Sequence, residues 1–122
     1  MKNLSKIIRL ILIISLLSCS EKPIGNKDGD MVCGTTDPIR DLMWLNKEFK
    51  LFHGGEGGNA IVLYEYNGRE VIEVQNSLFS STNIHQYYCD GERLKLEEPG
   101  RFDEFKKNRI EKKVIYGTKL WN

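Results

Sequence analysis

Ala60-Ile61-Val62-Leu63-Tyr64-Glu65-Tyr66 and Arg69-Glu70-Val71-Ile72-Glu73-Val74-Gln75 stand on either side of Asn67-Gly68, and the reading of this stretch decides the fold. A type I′ turn needs positive φ at both central residues, which Asn and Gly accept most readily, so the stretch predicts a two-stranded hairpin. A two-residue loop pairs Tyr66 with Arg69, Tyr64 with Val71, Leu63 with Ile72 and Ile61 with Val74. One face then carries Ile61, Leu63, Ile72 and Val74 and is expected to meet a helix. The other carries Val62, Tyr64, Tyr66, Arg69, Val71 and Glu73. That second, amphipathic face could be half-solvated, covered or used for binding; as the candidate binding surface its residues are Tyr64, Tyr66 and Arg69.

Upstream, Asp37-Pro38 is a helix start: the carboxylate accepts from an orphan N–H, and proline sits where its missing donor is not needed. Ile39, Leu42, Met43, Leu45 and Phe49 recur at helical spacing, predicting one helix over residues 38–52 with Trp44 on its flank. His53 to Asn59, rich in glycine, is read as a flexible turn. Gly55, Gly57 and Ala60 fit a phosphate-binding glycine pattern only in the wrong order, after a helix instead of a strand. Downstream, residues 84–89 and 92–96 flank Asp90-Gly91 as a second hairpin, with Tyr87, Cys89, Leu94, Leu96 and His85 on one face. A short helix around Phe102 to Arg109, a last strand over residues 113–116 and a docking Leu120-Trp121 complete the chain. The expected class is α+β: one N-terminal helix on a small antiparallel sheet of hairpins, with a short C-terminal helix and a final strand.

The N-terminus carries a different message. Lys2, Lys6 and Arg9 precede an apolar run from Leu10 to Leu17 broken only by Ser15. That run suits a signal h-region and is far below the ~20 residues that span a bilayer. Leu16, Leu17, Ser18 and Cys19 look like a bacterial lipobox, so residues 1–18 are expected to be a cleaved signal peptide and Cys19 the lipidated residue. Two or three acyl chains there, at ~0.8 kcal/mol per buried CH₂, would hold the protein on a membrane. Residues 19–32 read as a polar tether and 33–122 as a single domain. Ser20, in place of an inner-membrane retention signal, favours the outer membrane.

The whole chain carries 18 basic and 17 acidic side chains. Residues 1–18 hold three of the basic ones and no acid, so the mature form has 15 against 17 and is near −2. No run of like charge remains, and no nucleic-acid footprint is expected. With Cys19 lipidated, Cys33 and Cys89 form an even pair in an oxidising compartment, where such pairs usually close. The alternatives are buried free thiols or a nucleophile served by His53 or His85. Neither CxxC nor a metal-spaced Cys/His cluster occurs, and no cofactor is implied.

Cys33-Gly34, Asp37-Pro38, Asp41-Leu42, Trp44-Leu45, the Tyr66-Asn67-Gly68 turn, Tyr88-Cys89-Asp90-Gly91 and the terminal Leu120-Trp121 together resemble an uncharacterised family of small Bacteroidota-type lipoproteins. The resemblance implies a cell-envelope setting and supplies no activity; the additional cysteines of that family are absent from residues 76–81. Two functions are weighed. The first is a non-catalytic module binding an envelope protein, a glycan or a peptide, anchored through the lipid on Cys19. The second is a small hydrolase or thiol enzyme using Cys89 or Cys33 with His85.

Overall fold

The computed structural model describes residues 31–122; the leader, the lipobox with Cys19 and all of the tether before Met31 lie outside the described residues. The chain is α+β. β1 (Asn59–Tyr66), β2 (Arg69–Asn76), β3 (Gln86–Tyr88) and β4 (Ile110–Gly117) form one antiparallel sheet in the order β3-β2-β1-β4. β1 and β2 pair as the Asn67-Gly68 turn requires, Tyr66 opposite Arg69 and Ile61 opposite Val74, with φ of 51° at Asn67 and 76° at Gly68.

Ile61, Leu63, Ile72 and Val74 pack under Leu45, Phe49 and Val32, as the hairpin register predicts. The helix above them is not continuous. α1 (Pro38–Asp41) is a single turn and α2 (Met43–Lys50) a separate helix, because Leu42 is extended at φ −89°, ψ 107°. The apolar period runs through this break unchanged, which is why spacing alone predicts one helix. The Asn46 amide donates to the Ile39 carbonyl at 3.0 Å, satisfying a group near the break. Asp37 caps α1 by accepting from the Arg40 N–H, as expected.

Three further expectations change. Val32, assigned to the tether, is fully buried and exchanges backbone hydrogen bonds with Thr35 at 2.8 and 3.0 Å, so the domain begins before Cys33. The glycine stretch holds one helical turn, α3 (Gly55–Gly58), tied down by the Asn59 amide, which donates to the His53 and Gly55 carbonyls. The second hairpin is reduced to β3 and a single Tyr87–Arg93 bridge, with no strand over residues 92–96, and the turn after β3 is one residue longer than Asp90-Gly91 alone predicts. The Tyr88 N–H donates to Glu92 O, Gly91 N–H to Tyr88 O, and Leu94 N–H to Gln86 O, a three-residue loop with Gly91 left-handed at φ 87°. A slip of one residue exchanges faces. Tyr87 stays on the α2 side, while Leu94 and Leu96 join the opposite core.

That opposite core lies beneath α4 (Arg101–Asn108). Phe105 is fully buried against the rings of Tyr64 and Tyr66, with centroids at 6.1 and 5.0 Å. β4 returns along β1 with register shifts between Ile61 and Val62 and between Leu63 and Tyr64, two bulges of one extra residue each. One bulge turns both Ile115 and Tyr116 onto the α2 side. The sheet is therefore covered on both faces.

Candidate functional site

The bridge between Cys33 and Cys89 closes a separation of 56 residues. Cys33 is held at φ +52° with its N–H donating to the Glu70 carboxylate at 2.8 Å, and the Trp44 indole N–H donates to the Cys89 carbonyl at 2.9 Å. The donor atoms of Cys33, Cys89 and Glu70 fall within 4.8 Å of one another. With both sulfurs in a disulfide, that set lacks the thiolates a metal would need. Trp44 packs on Tyr87 with ring centroids at 4.9 Å, so it serves the bridge and the sheet instead of presenting an exposed aromatic.

His85, the partner proposed for a cysteine nucleophile, lies ring-on-ring against Phe79 at 3.6 Å. Burial holds its pKa below the ordinary imidazole value, favouring the neutral ring. Its packing partner is Phe79, and both sulfurs are bridged to each other.

The expected binding face is covered. Tyr64 is 2% exposed and Tyr66 7%. Burial, with the nearby Glu73 charge, pushes the Tyr64 hydroxyl up to about 12. Tyr66 donates its hydroxyl to Glu104, and that hydrogen bond raises its pKa. Arg69 alone of the three is exposed, its guanidinium 3.5 Å above the Tyr88 ring. The sequence shows the alternation correctly but not that α4 and Leu94-Leu96 return to this side. A half-solvated sheet becomes a second core.

Within that core sits a polar cluster that sequence reasoning did not assemble. Glu73 is fully buried; Arg109 Nη1 stands 3.3 Å from its Oε2, and the amides of Gln75 and Gln86 donate to it at 2.8 and 2.7 Å. Arg109 also lies over the Tyr64 ring at 4.1 Å. Gln75 extends the cluster to the C-terminus, accepting from the Leu120 N–H at 2.6 Å and donating to the Trp121 carbonyl at 3.0 Å. A fully buried carboxylate satisfied by a guanidinium and two amides holds elements together.

Among the described residues, open concavities lie at the Asn67-Gly68 end of the sheet, one on each side. A groove of about 450 Å³ lies on the α2 side, beside Met31, Leu63 and Lys113. Its acids are engaged: Glu65 by Lys112 at 3.1 Å, Glu70 by the Cys33 N–H. A smaller cleft of about 240 Å³ lies on the α4 side, between Tyr66, Tyr88 and the start of α4. Its floor is Leu94 and Leu96, and Glu92, Arg93, Lys95 and Arg101 stand around it. Arg93 pairs with Glu97. Lys95 and Arg101 have no carboxylate within ion-pair distance among the described residues. The hairpin gave no sign of this cleft, because its floor exists only through the one-residue slip that turns Leu94 and Leu96 to this side.

No helix among the described residues is long and apolar enough to cross a membrane. No protein-family model, curated protein or solved structure matches the chain.

Proposed function

We propose that the chain is an exported envelope lipoprotein, anchored through lipid on Cys19, whose folded part binds a partner and does not catalyse. The observation that carries this reading is the bridge between Cys33 and Cys89. It accounts for two of the chain's three cysteines and leaves Cys19, in its lipobox setting, as the one for acylation. A stable disulfide also fits an oxidising compartment. The basic start and short apolar run before Cys19 supply the export signal, and Ser20 favours the outer membrane. The resemblance of the Cys33 to Leu45 and Tyr88 to Gly91 segments to small envelope lipoproteins agrees with that setting.

Binding is preferred to catalysis because the groups an enzyme would use are engaged elsewhere. The sulfurs are bridged, His85 is stacked on Phe79, and Glu73 is sealed among its partners. Envelope proteins, glycans and peptides are the partners considered; nucleic acid is not among them, with charges of both signs interspersed. What remains available of the expected face is its rim: the edge of Tyr66 at the cleft, and Arg69, which lies over the Tyr88 ring and lines the groove on the α2 side.

Mass spectrometry of the protein isolated from membranes tests the anchor: the expected species begins at Cys19 and carries acyl chains, and Cys19→Ser leaves an uncleaved, unacylated precursor. A mature protein beginning elsewhere without lipid would refute it. Titration of native protein with a thiol reagent tests the non-catalytic reading. Two reactive thiols would return nucleophilic chemistry to consideration.

A further inference from the structure

We propose that the cleft between Tyr66, Tyr88 and the start of α4 holds one acidic sugar unit of a glycan, a hexuronate. The proposal rests on the binding-module reading above and names its ligand class. Three features of the cleft converge on this chemistry. Lys95 and Arg101 are exposed cations without ion-pair partners among the described residues, standing on one concavity, which calls for an anion. Glu92 stands on the same concavity and repels a bare anion, yet a carboxylate is a good acceptor for sugar hydroxyls. The half-buried Tyr88 ring, backed by buried Leu94 and Leu96, supplies the apolar edge against which the C–H face of a sugar ring rests.

A ligand that carries a carboxylate, several hydroxyls and an apolar ring face satisfies all three, whereas phosphate alone satisfies only the first. At about 240 Å³ the cleft has room for a single ring and its substituents. Neighbouring rings of the glycan would extend into solvent past Arg69, which is exposed at the same end of the sheet. The groove on the α2 side lacks this combination, since both of its acids are engaged.

The test uses the mature lipidated protein in detergent micelles, observed by NMR of backbone amides and titrated at constant ionic strength with sodium glucuronate, glucose and inorganic phosphate. Glucuronate is expected to give saturable shifts at Leu94 to Leu96 and Arg101, with glucose and phosphate each about tenfold weaker or more. Lys95→Ala and Arg101→Ala are each expected to weaken glucuronate by about tenfold, the loss of one charge-assisted contact. Both side chains are exposed, so an unchanged spectrum elsewhere verifies folding. Equal affinity for phosphate, absence of saturable shifts, or shifts confined to the α2-side groove would overturn the proposal. Arg101-dependent binding to vesicles of anionic phospholipid without glucuronate binding would overturn it too. None of these outcomes bears on acylation at Cys19, which mass spectrometry reads separately.

Discussion

At Gly91 the backbone takes φ +87°, and a Cβ there would stand 2.8 Å from Cγ of Trp44. The missing side chain lets the indole lie on the turn and reach the Cys89 carbonyl. Gly91→Ala combines left-handed strain with overpacking and is expected to destabilise by about 2–3 kcal/mol, read as a lower midpoint in urea. Tyr64 poses the opposite case. Its hydroxyl is buried without a hydrogen-bond partner among the described residues. Tyr64→Phe is expected to be neutral or stabilising by about 1 kcal/mol at pH 7. Its alkaline behaviour has a definite sign. The hydroxyl titrates at 10.0 in its ordinary state and about 12 when folded, so between those values the unfolded chain releases its proton first and stability falls as pH rises. The raised values of Tyr66 and Tyr87 act in the same direction. Unfolding of Tyr64→Phe followed from pH 9 to 12 (roughly the window set by those two values) should show a shallower fall; an unchanged slope would remove Tyr64 from the account.

Among the elements, α4 has the most to lose from one substitution. Phe105 is its only buried residue and touches Tyr64, Tyr66 and Phe102. Phe105→Ala is expected to destabilise by about 3–5 kcal/mol and to expose the Tyr64 and Tyr66 face, measurable as faster amide exchange over residues 101–109 and along β1. If exchange rose uniformly with no local excess, α4 would be unfolding with the whole domain. The two hairpins contrast at this scale. Asn67-Gly68 demands one turn geometry and the register follows from it. Asp90-Gly91 accommodates either a two-residue loop or a three-residue loop with glycine left-handed, and local chemistry does not choose. The pairing of β3 with β2, Tyr88 opposite Val71, and the seat of Trp44 on the turn accompany the longer loop.

For the whole molecule the bridge joins the turn between Val32 and Thr35, where the domain begins, to the turn after β3. In the chain-entropy view a closed loop spanning 56 residues contributes about 4 kcal/mol, less any strain. Reduction, or Cys33→Ser with Cys89→Ser, is expected to lower the unfolding free energy by up to that amount, seen as a displaced urea midpoint with the fold retained or lost outright. A midpoint insensitive to reductant would mean that the bridge contributes little. The Glu73 and Arg109 cluster acts at the same scale. It ties β2, β3, the segment after α4 and the C-terminal residues into one unit, and the partner of Glu73 lies 36 residues away in the chain.

Local chemistry was enough to read the first hairpin and its register, the Asp37-Pro38 helix start, the α+β class and the pairing of the even cysteines. Each of these depends on neighbours in sequence or on a count. Tertiary structure alone decided that the sheet is covered twice, that Leu42 interrupts the helix, that Glu73 is dry and that Leu94 and Leu96 face α4. Alternation along a strand tells which residues share a face, but not what returns to cover it. That depends on where a segment some forty residues later comes to rest, and for Tyr64 and Tyr66 the segment is the turn of helix that carries Phe105.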